Sequence, residues 1–459
     1  MKTNHIIKSR LVILTITLIL FFLQSCESMI EVSPPDNQIN KENIFKDIST
    51  TKSALTHLYI KVRDTPMLNK SNTGSSYSLD LYTDQLEFIG LSQNNFYLNS
   101  IEASSNETAQ WWNTSYMDIY AINAFIIGLS ESTYITDKDK KQFLGEAYAL
   151  RALYYQNLAL LFGDIPYTIS TDYKYNTTIT KTPYSKVLEL IEKDLLLAYN
   201  NLDNSFRSSE RFYINKPVVE LLLSYNYLLQ KKYDQAEFYS SAVIENNNYK
   251  LEDNINKVFK KTATSTLWQL SPDLLTSSTP EANVYQIKTI TANTVTASKE
   301  LINLFAKEDL RYLNWFEKVT INNNLLHQIY KYKNTVNNTD ELSIYYRLEE
   351  AYFNLSLALA LQNKIDRAVD ILNVIRQKRG IAPINQTVDQ STFIKEYLNE
   401  SAREFFTEKG RRFFDLKLTD NLGELIKVKP NWKTHHNLFP IPEKQIQINK
   451  NLLPNNIGY

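Results

Sequence analysis

The sequence predicts a mainly α-helical protein in which scattered, tetratricopeptide-like helix pairs surround a loop-rich insertion carrying short strands. Three observations predict it. Several long segments place apolar residues at helical spacing. Two of those segments repeat one spacing of small residues around a polar turn. Nine glycines in 459 residues are few for a glycine-rich nucleotide fold or a turn-dense β-sandwich, whereas 30 tyrosines, 21 phenylalanines and five tryptophans are plentiful. A chain this long can bury a large core.

The N-terminus carries Lys2, Lys8 and Arg10, then an apolar run over residues 11–23, then Gln24, Ser25 and Cys26. A basic start, a short apolar core and a small residue before the cut describe an export signal over residues 1–25. The run is shorter than the ~20 residues of a membrane-spanning helix. Leu23-Gln24-Ser25-Cys26 resembles a bacterial lipobox, in which cleavage leaves Cys26 as the acylated first residue; Gln24 stands where a small residue is usual. Several acyl chains on one cysteine hold a protein on a membrane better than a single chain does. Cys26 is the one cysteine of the chain, which excludes an internal disulfide and a cysteine-based zinc site. Removing the signal takes three basic residues and no acid from a balance of 50 and 50, leaving a net charge of −3. That is no basic footprint for nucleic acid. Residues 26–41, with Ser33-Pro34-Pro35-Asp36, read as a tether, and residues 42–459 as a single helical domain.

Residues 42–63 restore a helical pattern with Ala54, Leu55, Leu58 and Tyr59 on its apolar side. Residues 80–90 read as a helix that would put Asp84 and Glu87 on one face at i, i+3. Residues 90–108 are polar, with Phe96 and Tyr97 in their middle. Residues 111–129 read as a helix with Trp112, Tyr116, Ile119, Tyr120 and Asn123 along one side, its tryptophans packing. Residues 145–167, GEAYALRALYYQNLALLFGDIPY, form the central helix: Leu150, Leu153, Leu158, Leu161 and Phe162 are its apolar positions, and Gly163 and Pro166 end it. Arg151, isolated in that apolar setting, is expected to be buried and paired with a carboxylate. Residues 184–202 are a further helix.

Ser224 and Ala236 lie 12 positions apart, as do Ser356 and Ala368, each pair bracketing a short polar turn between apolar-periodic helices. Small residues let paired helices approach closely. The copies are not tandem, since 132 residues separate the two alanines. Between them, residues 246–338 form a polar, Thr- and Asn-rich insertion with β-leaning pieces at 267–270 and 284–287. Tyr285, Trp315, Tyr330 and Tyr332 lie in it, either as binding aromatics on loops or as fillers of a local core. Residues 400–416, ESAREFFTEKGRRFFDL, space Arg403, Glu404, Glu408, Arg411, Arg412 and Asp415 so that they can form a charge lattice along helix faces.

Several of these segments, in this order, resemble the SusD/RagB family: the Trp-Tyr-Ile-Asn succession before the central helix, that helix with its closing Phe-Gly-Asp-Ile-Pro, Asp309-Leu310-Arg311, the ILNVIRQKR helix end at 371–379, the 400–416 run, and the ending Leu438-Phe439-Pro440-Ile441-Pro442 through Gly458-Tyr459. Lys409 sits between Glu408 and Gly410, which the family joins more directly. The resemblance implies a surface lipoprotein of the outer membrane, facing outside and attached by its lipid anchor alone. It would capture a nutrient and pass it to a SusC-like TonB-dependent transporter. The nutrient would be an oligosaccharide, or a peptide as in the RagB branch. No catalysis, cofactor or metal is implied. Ligand contacts do not follow from the motifs; loop placement and aromaticity select Phe96, Tyr97, Tyr285 and Trp315 as ligand-binding residues. Two other classes remain: a helical glycosidase, which needs two carboxylates in a cleft, and a helical-repeat scaffold that binds only protein. No HExxH, GxSxG or phosphate-cradling glycine loop appears.

Overall fold

In the computed structural model, which describes residues 41–459 apart from residue 386, helices dominate. The export signal, Cys26 and the tether up to residue 40 lie outside the described residues. Residues 45–459 make one compact unit. Asp47 caps the first long helix, α1 (Ile48–Asp64), by accepting from the amides of Ser49 and Thr50. Then come α2 (Ser75–Tyr82), β1 (Leu86–Phe88), α3 (Asn106–Glu131), α4 (Asp137–Phe162) and α5 (Tyr184–Asn201). The reading of 80–90 as one helix is corrected. Thr83 Oγ1 donates back to the carbonyls of Leu79 and Asp80, ending α2, and residues 86–88 pair antiparallel with residues 295–297. Asp84 and Glu87 therefore share no helix face.

The central helix is α4. It ends at Gly163, whose φ of +75° with ψ of −116° is a backbone conformation open to glycine and strained for other residues. Arg151 sits at its heart, nearly buried, with Nη2 and Nε 2.6 and 2.7 Å from the Asp194 carboxylate of α5 and Nη1 2.9 Å from Asn123 of α3. One arginine thus fixes three helices in register, as a paired structural charge.

The two helix pairs form as expected: α6 (Lys216–Leu229) with α7 (Tyr233–Ile244), and α8 (Glu349–Leu361) with α9 (Ile365–Lys378). Their turns are the same in three dimensions. Lys231 and Asn363 both take φ near +60° (58° and 61°), and the amides of Lys232 and Lys364 each donate to a carbonyl five residues back, Tyr227 and Leu359, at 2.9 Å. Ser224, Ala236, Ser356 and Ala368 are fully buried, and Ser356 Oγ donates to the Ala368 carbonyl. The pairs are scattered in sequence but adjacent in space. Helix α7 packs on α8, and Glu237 of α7 binds Lys364 and Arg367 of the other hairpin.

The insertion supplies β2 (Thr266–Gln269), β3 (Val295–Ala297) and the hairpin β4 (Phe316–Ile321) and β5 (Asn324–Ile329); β6 (Ile344–Arg347) follows it. Strand β2 pairs antiparallel with β6, and β1 with β3. The β-leaning piece at 267–270 is largely strand. The piece at 284–287 is not: Thr279 caps and Pro280 starts a short helix, Pro280–Tyr285, that takes its first half.

The charge lattice exists, but it runs through the core more than along helix faces. Two helices carry it, α10 (Gln390–Phe405) and α11 (Arg411–Leu418). Glu404, fully buried, receives Arg347 at 2.6 Å, Arg379 at 2.7 Å and Arg311 at 3.0 Å, from three separate segments. Arg311 also binds Asp309 and Glu400. Glu408 receives Arg347 and Lys331, and Arg412 binds Asp84 at 2.6 Å. Only Arg403–Glu400 and Arg411–Asp415 are pairs within one helix. The additional Lys409 is used: with φ +58° beside Gly410 at +64° it makes the turn between the helices, and its ammonium binds Glu350.

Burial alone would push the Glu400 and Glu408 carboxyls up. Arg311, Arg403 and Arg376 outweigh it at Glu400, and Arg347 and Lys331 at Glu408, holding both at about 2. A carboxyl depressed on folding stabilises above its unfolded pKa, and that stability is lost as pH falls toward the folded value. Each glutamate therefore contributes on the order of 3 kcal/mol at neutral pH. Urea unfolding monitored by circular dichroism should show stability holding to about pH 5 and falling steeply between about pH 4 and 2. Glu404→Gln, which leaves three buried guanidinium groups short of charge, should cost about 3–5 kcal/mol at pH 7. A loss below about 1 kcal/mol would contradict the lattice.

Candidate functional site

The turn after α2 and the loop holding Tyr97 meet the start of the short helix Lys299–Asn303 and the loop 428–431 around a groove of about 280 Å³. The lining includes Asp84, Glu87, Tyr97, Asn99, Ser298, Glu300, Lys429 and Asn431. Its assembly is non-local. Pairing of Glu87 with Thr296 brings residue 87 next to the strand that leads into Ser298 and Glu300, and the Ser298 amide donates to the Gln85 carbonyl. The Asn431 amide group donates to the Leu98 carbonyl at 3.0 Å, docking the third segment.

Tyr97 is half-buried, with its amide held by Asn94 Oδ1 and its hydroxyl donating to Glu87 Oε1 at 3.3 Å. Burial, and then the Glu87 charge, push the phenol up from its ordinary value. Lys429 Nζ lies 4.2 Å from the Tyr97 ring centroid and donates to the Leu81 carbonyl at 2.7 Å. Burial pushes its ammonium down to about 8, against the pull of Asp84, Glu87 and Glu300. Glu300 is exposed at the mouth. The groove thus combines one aromatic, two carboxylates free to accept from hydroxyls, an amide and an ammonium. Those groups can hold a polyhydroxylated ligand by hydrogen bonds and ring contact. They are poorly suited to acid–base catalysis through Asp84. Burial pushes that carboxyl up, but the Arg412 charge and hydrogen bonds outweigh it and leave it below the usual range, so it holds no proton to give at neutral pH.

The four aromatics expected to meet ligand part company here. Phe96 is 4% exposed, stacked on Trp111 at 5.1 Å and edge-on to Phe439 at 5.8 Å. Tyr285 is 2% exposed beside Tyr77, and Trp315 is 1% exposed between Phe259 and Phe406. These three present no face to a ligand. The segments that carry them fold back onto the helical scaffold, which gives them a core to enter. Tyr332 is buried likewise, and Tyr330 is half-buried. Only Tyr97 reaches the groove. Its partners Glu300, Lys429 and Asn431 carry no local signal in the sequence; strand pairing across some two hundred residues brings in Glu300, and the Asn431–Leu98 hydrogen bond docks the loop of Lys429 and Asn431. Among the described residues no cluster of His, Cys, Asp and Glu could hold a metal ion, and no helix is long and apolar enough to cross a membrane.

Two family models match the chain. Residues 30–228 match one described as starch-binding, associating with the outer membrane, and residues 306–417 match one described as the SusD family. Together they take in more than half of the sequence, including α4 with its closing turn and the charge lattice. The chain belongs to the SusD family. SusD-like protein P2 of Formosa agariphila is 24% identical over 420 residues, a match covering 76% of this chain and 80% of that one. SusD-like protein P38 of the same organism is 29% identical over 182 residues, or 39% of this chain and 35% of that relative's length. Among solved structures, a SusD superfamily protein from Bacteroides vulgatus superposes with a TM-score of 0.80 at 17% identity, covering 90% of this chain and 100% of its own. A laminarin-binding SusD-like protein gives 0.75 at 20% identity, with 90% and 100% covered. The SusD fold is thus shared across sequences that agree at about one position in five.

The burial difference within the Phe96–Tyr97 pair can be measured. Phe96→Ala should lower unfolding free energy by about 3–5 kcal/mol. Tyr97→Ala should cost about 1 kcal/mol or less while altering the groove. Equal losses for both variants would mean that Tyr97 too is core.

Proposed function

We propose that this protein is a nutrient-binding lipoprotein of the outer-membrane surface, capturing an oligosaccharide in the groove beside Tyr97 and delivering it to a SusC-like TonB-dependent transporter. Residues 1–25 are its export signal, Cys26 its lipid-bearing first residue, residues 26–41 its tether and residues 42–459 its single ligand-handling domain. The observation that carries the reading is the groove itself: a half-buried aromatic among Glu87, Glu300, Asn431 and Lys429, on a scaffold of the SusD family. Shallow sites of this composition suit sugar hydroxyls, and nothing in them requires chemistry on the bound ligand. A neighbour in fold binds laminarin, which makes β-glucans the first oligosaccharides to try.

Isothermal titration against a panel of oligosaccharides and of short peptides tests the proposal. The expected result is binding of at least one oligosaccharide without turnover, weakened about tenfold or more by Tyr97→Ala and by Glu300→Ala. Binding of peptides alone would move the protein to the RagB type. Cleavage of the sugar, abolished by Glu87→Gln, would establish a glycosidase instead.

A further inference from the structure

A second groove, larger than the first, opens where the end of α4 meets the last turns of the chain. Its volume is about 760 Å³, inside the range of small-molecule sites. It shares no lining residue with the Tyr97 groove. Lys181, Lys417 and His435 line it against one carboxylate, Asp164, and that carboxylate already accepts from the Tyr184 amide at 2.8 Å. Lys417 is half-buried, and its ammonium donates to the carbonyls of Leu160 at 2.6 Å and Asn437 at 2.8 Å. Both acceptors are neutral. An ammonium has three N–H donors, so among the described residues one has no hydrogen-bond acceptor, and the charge, drawn partly out of water beside the Phe413 ring at 5.9 Å, has no carboxylate partner there. Burial pushes this ammonium down to about 7, the direction expected of a cation short of a partner. Thr434, His435 and Asn437 also line the groove, and their side chains spend no hydrogen bond on the described residues. Leu438, Pro454 and Ile457, the last 91% exposed, provide apolar wall.

We propose that this groove is a second saccharide site, specific for sugars that carry a carboxylate. The oxyanion sits at Lys417 and Lys181, completing the third donor of Lys417 with a charge-assisted hydrogen bond. The hydroxyls pair with Thr434, His435 and Asn437, and a ring face lies on Ile457. Amides and hydroxyls that both donate and accept match sugar hydroxyls, while the volume exceeds what a bare anion fills. The site is independent of the nutrient groove and stands or falls apart from it.

The mature chain is titrated with tetragalacturonate, with its fully methyl-esterified neutral form, with inorganic sulfate and with a tetraglutamate peptide, while amide chemical shifts report which residues respond. The expected result is tetragalacturonate binding that shifts residues 434–438 and 455–457, with the neutral ester about tenfold weaker or more. Lys417→Met should remove that preference and Tyr97→Ala should leave it unchanged. Lys181→Gln, a change nearer the surface, should weaken tetragalacturonate about threefold or more and serves if Lys417→Met does not fold. Equal binding of acid and ester, shifts confined to the Tyr97 groove, or no binding of tetragalacturonate would overturn the proposal. So would sulfate or tetraglutamate binding as tightly as the sugar, since either makes the groove an anion site without sugar recognition.

Discussion

Glu404 ties distant parts of the chain to one buried charge. One carboxylate with no exposure to water neutralises arginines from three places: Arg311 in the insertion, Arg347 at the end of β6, and Arg379 at the end of α9. Replacing such a network by apolar residues need not destabilise a protein, but leaving it half-formed does. The lattice therefore works as a registration device. The insertion, the second helix pair and the final helices reach low energy only when all have docked. Arg412 extends the same logic to Asp84, holding the turn that starts the groove beside Tyr97.

That arrangement explains how a loop-built site can be well defined. The groove beside Tyr97 takes its walls from residues near 85, 98, 300 and 430, none of which belongs to a long helix. Each wall is one or two residues from an anchor: Asp84 to Arg412, Glu87 to Thr296 across a strand pair, Asn431 to the Leu98 carbonyl. Preorganisation of this kind reduces the ordering cost of binding. It also leaves the exposed positions, Glu300 above all, free to change with the ligand without disturbing the scaffold.

The helical scaffold was legible in the sequence because its signals are local. The spacing of Ser224 to Ala236 and of Ser356 to Ala368 gave two hairpins with the same turn, and the lone Arg151 in an apolar helix announced a buried pair. The site was legible only in part. Polar surroundings marked Phe96 and Tyr97 alike, yet Phe96 turns inward onto Trp111 and Tyr97 turns to the groove. Neighbours at adjacent positions share composition and differ only in direction, which the tertiary contacts decide. Tyr285 and Trp315 failed for a related reason: a polar insertion folded against a large scaffold builds its own core. Local spacing puts Asp84 and Glu87 on a helix because the competing strand partner, at 295–297, lies two hundred residues away.

On the proposed function this chain is a carrier working with a barrel rather than alone. The most direct measurement is to extract the acylated protein from native outer membranes in mild detergent and identify by mass spectrometry what accompanies it. A large TonB-dependent barrel in near-equal amount, with Cys26 carrying its lipid, is the expected result. Recovery of the protein alone from freshly prepared membranes would contradict it.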